Sequence, residues 1–128
     1  MRIPSIRSKM TPHNRLMTNK GFLEIQDVES LDRFLAETEN NQPAILFKHS
    51  NSCGISARAH REMATVERRV GIVTVQQARA VSAEIERRFG LSHETPQVLI
   101  VRNGQAVWNA SHNQVKAQAV EAAILAEG

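Results

Sequence analysis

Short apolar runs alternate along this chain with longer stretches in which apolar residues return every three or four positions, and the alternation predicts nine elements from Phe22 onward. Phe22-Leu23-Glu24-Ile25 reads as a short strand. Asp27 then offers a cap for a helix whose apolar positions Val28, Leu31, Phe34 and Leu35 recur at helical spacing, closed by a turn at 40–43. Ala44-Ile45-Leu46-Phe47 has the unbroken apolar character of a buried central strand. A helix over about 54–68, a strand over 70–75 and a helix over 77–89 follow; Ala78, Val81, Ile85 and Phe89 share one face of the last, and Gly90 stops it. Strands at 97–101 and 106–108 flank Asn103-Gly104, the dipeptide that best supports the positive backbone angles of a tight hairpin. A final helix over 113–126, capped by Ser111, would turn Val115, Ala119, Ala123 and Ile124 to the core. This order is an α/β pattern with a mixed sheet.

Composition narrows the class. A chain of 128 residues can bury roughly two thirds of its unfolded surface in one domain, so no disulfide or metal staple is required. No apolar run approaches the ~20 residues of a membrane span, and the N-terminus lacks the apolar core of a secretory signal. A cytoplasmic protein without a membrane partner is expected. The formal charge of +3 is uneven: residues 1–20 carry five of the sixteen basic residues and no acid, leaving eleven basic against thirteen acidic side chains elsewhere. The basic stretch has no amphipathic repeat and no aromatic residue, so 1–20 is expected to be a disordered tail ahead of a domain over 21–128. One Trp, four Phe and no Tyr make a poor stacking platform, and no nucleic-acid partner is expected. Phosphate-binding loops, dinucleotide motifs and paired-carboxylate motifs are absent from the sequence.

The chemistry then concentrates on Cys53, the single cysteine. A lone cysteine is often inert core filling, but His49, Ser50, Asn51 and Ser52 make this surround polar and loop-like. At a helix start a thiol meets unpaired backbone amides and the positive end of the helix dipole, which favour thiolate, the nucleophilic form. Ser56 stands three places on, so no intramolecular disulfide can form across this motif. Any redox chemistry of Cys53 must use a thiol from another molecule. His49 lies four residues before Cys53 and could stabilise a thiolate as imidazolium or shuttle its proton. A cysteine-protease arrangement is disfavoured because His49 and Asn51 precede Cys53 too closely. His60 and His112 with Cys53 lack the spacing of a metal site, and no metal is expected.

The run Phe47-Lys48-His49-Ser50-Asn51-Ser52-Cys53-Gly54-Ile55-Ser56, together with His93-Glu94-Thr95-Pro96-Gln97 and the segment from Asn103 to His112, resembles the YtxJ family of monothiol bacilliredoxins. The resemblance covers nearly everything from Phe22 on. It implies a thioredoxin-like fold, a central mixed β-sheet flanked by helices. It also implies that Cys53 attacks the mixed disulfide between a client protein and bacillithiol, a low-molecular-weight thiol co-substrate, and takes the small thiol onto itself. Lys48, His49, Gly54, Ser56, Thr95, Pro96 and His112 would then surround the bound thiol. Thr95-Pro96 matches the family's cis-proline, whose preceding residue can pair with a bound partner as an added strand. No tightly bound cofactor is implied. Gly54 departs from the Pro usual in the family, and Cys-Gly-Ile-Ser is similar to the Cys-Gly-Phe-Ser of monothiol glutaredoxins. That leaves a glutathione- or [2Fe–2S]-binding protein as one alternative and a non-catalytic interaction module as another. Against the glutaredoxin alternative, 108–113 lacks the glycines and the acid that hold glutathione's carboxylate in that group.

Overall fold

The computed structural model describes residues 21–38 and 42–127; the basic tail, part of the turn expected at 40–43 and Gly128 lie outside them. Five strands form one mixed sheet: β1 (Gly21–Glu24), β2 (Ala44–His49), β3 (Arg69–Thr74), β4 (Gln97–Arg102) and β5 (Gln105–Ser111). Their spatial order is β1-β3-β2-β4-β5. β1 and β2 run parallel to β3, whereas β4 is antiparallel to both β2 and β5.

Helices cover both faces. α1 (Val28–Glu37) and α3 (Arg79–Phe89) pack on one, burying Leu31, Phe34, Val81 and Ile85 against Leu46, Val73 and Leu99. On the other, α2 (Gly54–Met63) and α4 (Ala117–Glu127) bury Ala59, Met63, Val120 and Ile124 against Ile45, Phe47, Val98 and Ile100. Asp27 caps α1 as expected: its carboxylate accepts the Ser30 N–H at 2.7 Å, while the Ser30 hydroxyl accepts the Asp27 N–H at 3.2 Å. Gly90 closes α3 at φ 68°, and Asn103 and Gly104 turn the hairpin at φ 53° and 80°.

Three boundaries depart from the periodicity. α2 ends at Met63 and not near 68, because Val66 leaves the helical path to enter the core and the Thr65 hydroxyl donates to the Glu62 carbonyl at 2.7 Å. α3 starts at Arg79, since the amides of Gln77 and Ala78 both turn back to the Thr74 carbonyl. Ser111 does not cap the last helix. It ends β5, a short 3₁₀ turn follows over His112–Gln114, and α4 begins at Ala117 with Val120, alongside Ala123 and Ile124, in the core.

Strand alternation along β2 decides where its polar end points. Ile45 and Phe47 face α2 and α4, and so does His49; Ala44 and Leu46 face α1 and α3, and so does Lys48. Lys48 is fully buried, with its ammonium donating to Gln97 Oε1 at 3.2 Å across the β2–β4 pair. It therefore offers no surface to a bound thiol, contrary to the role expected for it. Burial pushes its pKa down to about 8, against the opposing attraction of Glu86 and Glu94.

Two stability predictions follow from this packing. A Cβ at Gly71 would lie 2.7 Å from Ile25 Cδ1 and 2.9 Å from the Phe34 ring, so Gly71→Ala is expected to cost about 1–3 kcal/mol in urea unfolding. For Lys48, the folded and unfolded forms both hold the proton below pH 8, and there the burial cost is fully present. Between that value and the ordinary lysine pKa of 10.5 only the unfolded chain still binds it, so folding stability rises with pH. The stability of the parent relative to Lys48→Met is expected to improve by up to about 3 kcal/mol across this window; a flat difference would contradict the assignment.

Candidate active site

The sheet topology gathers the chemistry at one end. β2 and β3 are parallel, with His49 opposite Thr74, so their C-terminal ends lie side by side. β4 runs the other way, with Lys48 opposite Gln97, and brings its N-terminal end there; Gln97 pairs in turn with Ser111 and brings the end of β5. The Cys53 loop, the loop after β3, Thr95-Pro96 and His112 thus share one rim.

Cys53 is the N-cap of α2, in extended conformation at φ −124° and ψ 127°, with its carbonyl accepting the Ala57 N–H at 3.0 Å. Its side chain makes no capping hydrogen bond and is partly exposed. The first-turn amides of α2 have no intrahelical acceptor, and Cys53 stands at the helix end where they begin. Gly54 and Ile55 beside it are exposed. A Cβ on Gly54 would meet nothing within 4 Å, and a first helical position is one where proline is common, so the glycine that replaces the resembled family's usual proline is not forced by crowding at Cβ.

Ser56 and His49 form the inner support of the loop. Ser56 is fully buried; its hydroxyl accepts the Ser50 N–H at 2.9 Å and lies 2.8 Å from His49 Nδ1. It holds the chain ahead of Cys53 from behind and has no surface for a substrate, which corrects the binding role expected of it. The His49 ring sits 4.9 Å from that of His60 and 5.6 Å from Phe47, centroid to centroid. Burial, and then the neighbouring His60, push the His49 pKa down, so at neutral pH it is the uncharged imidazole. Of the two roles read from the sequence, a standing imidazolium is therefore disfavoured. His49 also lines a cleft of about 340 Å³ with Phe22, Glu24, Asn51, His60, Ile72 and Thr74.

Gln76 is the residue that sequence reasoning missed. From the loop after β3, its amide nitrogen donates to Ser50 Oγ at 2.8 Å and Ser52 Oγ at 3.2 Å, while its oxygen accepts the Asn51 N–H at 3.1 Å. Twenty-five residues separate it from Asn51, and no local motif marks it. Across the rim the Thr95–Pro96 peptide is cis, as the resemblance implied. The Pro96 carbonyl accepts the His112 N–H at 2.8 Å, and His112 Nε2 lies 3.2 Å from Glu94 Oε1. Thr95 is half-buried, whereas the His112 side chain is half-exposed, its backbone fixed by Pro96 and its ring beside Glu94. His93 bonds Ser82 at 3.1 Å instead of turning to the thiol. Among the described residues no group of three or more His, Cys, Asp or Glu is placed to hold a metal ion, and no helix is long and apolar enough to cross a membrane.

Comparison with known proteins agrees with this geometry. A candidate oxidoreductase with a thioredoxin fold superposes with a TM-score of 0.70 at 28% identity, over 80% of this chain and 92% of the other. Thioredoxin from Fasciola hepatica matches with a TM-score of 0.66 at 13% identity, over 82% and 98%. A thioredoxin variant from Halobacterium salinarum matches with a TM-score of 0.65 at 15% identity, over 83% and 89%. The two thioredoxins are too distant in sequence to show more than the fold, which is the thioredoxin fold. The family model of the monothiol bacilliredoxin BrxC matches residues 23–120, a span that holds Cys53, Gln76, Thr95-Pro96 and His112. The chain belongs to the monothiol bacilliredoxin family, whose work is thiol redox chemistry.

Proposed function

We propose that this protein removes bacillithiol from S-bacillithiolated client proteins in the cytoplasm, with Cys53 as the only thiol that it contributes. The observation that carries this reading is a partly exposed cysteine at a helix N-cap, with a fully buried serine where a second thiol would have to stand. In the first step the Cys53 thiolate attacks the bacillithiol sulfur of the mixed disulfide in line with the S–S bond. The client sulfur leaves as thiolate and takes up a proton, and a Cys53–bacillithiol disulfide forms. A second low-molecular-weight thiol then attacks the bacillithiol sulfur, releasing Cys53 and a small disulfide.

Each part of the rim has a use in that sequence. The amides and dipole at the start of α2 favour the anionic sulfur that Cys53 presents before attack and regains on release. His49, neutral and bonded to Ser56, can take the proton as the thiol ionises. Thr95, half-buried at the start of β4, offers backbone to an incoming extended segment. His112 and Gly54 flank the exposed face on which the small thiol would lie.

The test follows loss of the bacillithiol adduct from a bacillithiolated client by intact-mass spectrometry, with the client in molar excess over the protein and bacillithiol present as the resolving thiol. The parent is expected to turn over repeatedly, and Cys53→Ser to leave the client at its uncatalysed rate. Equal release by Cys53→Ser would sink the proposal.

A further inference from the structure

Gln76 spends its whole amide on the three residues that precede Cys53. It is an exposed side chain, and fixing an exposed glutamine costs rotamer entropy that a surface position normally has no reason to meet. Here both ends are engaged: two donor bonds go to Ser50 and Ser52 and one acceptor bond comes from Asn51. The turn after β3 aims it, because the Gln77 and Ala78 amides fold back on the Thr74 carbonyl while the Val75 amide extends the β2–β3 ladder to the His49 carbonyl. Ser56 grips the loop from inside at Ser50 alone. Asn51 and Ser52 are exposed, and among the described residues their hydrogen bonds run to Gln76 and to Ser50. Removing the Gln76 amide therefore leaves Ser52 tied only to Ser50, and takes from Asn51 the one hydrogen bond it makes among the described residues.

We propose that Gln76 is a positioning residue for Cys53: it fixes the 50–52 loop so that the sulfur is held for in-line attack. The proposal rests on the reading of Cys53 as the nucleophile. Attack on a disulfide demands alignment of three sulfurs, and misplacement by about 1 Å can lower a rate by up to about a hundredfold. Gln76 touches no reacting atom. Its effect passes through the loop.

The test compares the parent, Gln76→Ala, Gln76→Glu and the neighbouring control Gln77→Ala in full-length protein. Rates are read with 2,2′-dithiodipyridine, which reports Cys53 reactivity without bacillithiol, and with a bacillithiolated client. Gln76→Ala is expected to slow both reactions about tenfold while far-UV circular dichroism and the melting temperature stay near those of the parent; Gln77→Ala is expected to match the parent. Gln76→Glu supplies the pH readout. While ionised it can accept from Asn51 but cannot donate to Ser50 or Ser52, and once protonated it regains a donor. Its deficit in the dithiodipyridine reaction is therefore expected to shrink as the pH falls through the ordinary glutamate range near about 4.3. Parent-like rates in Gln76→Ala would overturn the proposal, and so would a Gln76→Glu deficit that does not change with pH. If the parent reacts with dithiodipyridine yet frees no client thiol, the bacilliredoxin reading fails, and the variant comparison still decides the role of Gln76.

Discussion

β2 is hydrogen-bonded on both edges, and the reactive rim depends on that double pairing. Its parallel contact with β3 sets His49 opposite Thr74 and delivers Gln76 to the loop; its antiparallel contact with β4 sets Lys48 opposite Gln97 and delivers Thr95-Pro96. A slip of one residue in either ladder would exchange the faces of Lys48 and His49. The ammonium would then lie beneath α2, and the imidazole would lose Ser56. Buried apolar residues on both faces of β2 make such a slip costly, so the core sets the geometry of the site.

The absence of a second thiol has a structural counterpart. The hydroxyl of Ser56 accepts the Ser50 amide and meets the His49 ring, and the loop ahead of Cys53 is anchored by it. That residue belongs to the scaffold, and the exposed side of the N-cap is left to Cys53 alone. With no intramolecular thiol to resolve an adduct, the mixed disulfide of the proposed cycle needs an external thiol to open it. The protein's own contribution is then alignment and the polar surroundings of one sulfur, supplied by the helix start on one side and the 50–52 loop on the other.

Much of this architecture was legible in the sequence because its signals are local. Asp27 with Ser30, Gly90, and Asn103-Gly104 each encode a cap or a turn through their own chemistry, and the apolar spacing set the element order. Cys53 could be placed at a helix start for the same reason. The burial of Lys48 was also within reach, since strict alternation along Phe47, Lys48 and His49 places it on the opposite face from its neighbours; the motif around Cys53 suggested a shared surface instead. The end of α2 depended on the pull of the core on Val66, and the end of β5 on its pairing with β4. Gln76 was invisible for a stronger reason. Its role exists only once β2 and β3 lie side by side, and nothing within several residues of it hints at thiol chemistry.

The central claim is that Cys53 attacks the small-thiol sulfur and not the client sulfur, and intact-mass spectrometry of the protein after a single turnover reads this directly. The account predicts one bacillithiol mass on the parent, mapped to the peptide that contains Cys53, with an equal amount of free client. A protein–client disulfide as the accumulating product, or an unmodified Cys53 beside an intact bacillithiolated client, would contradict it.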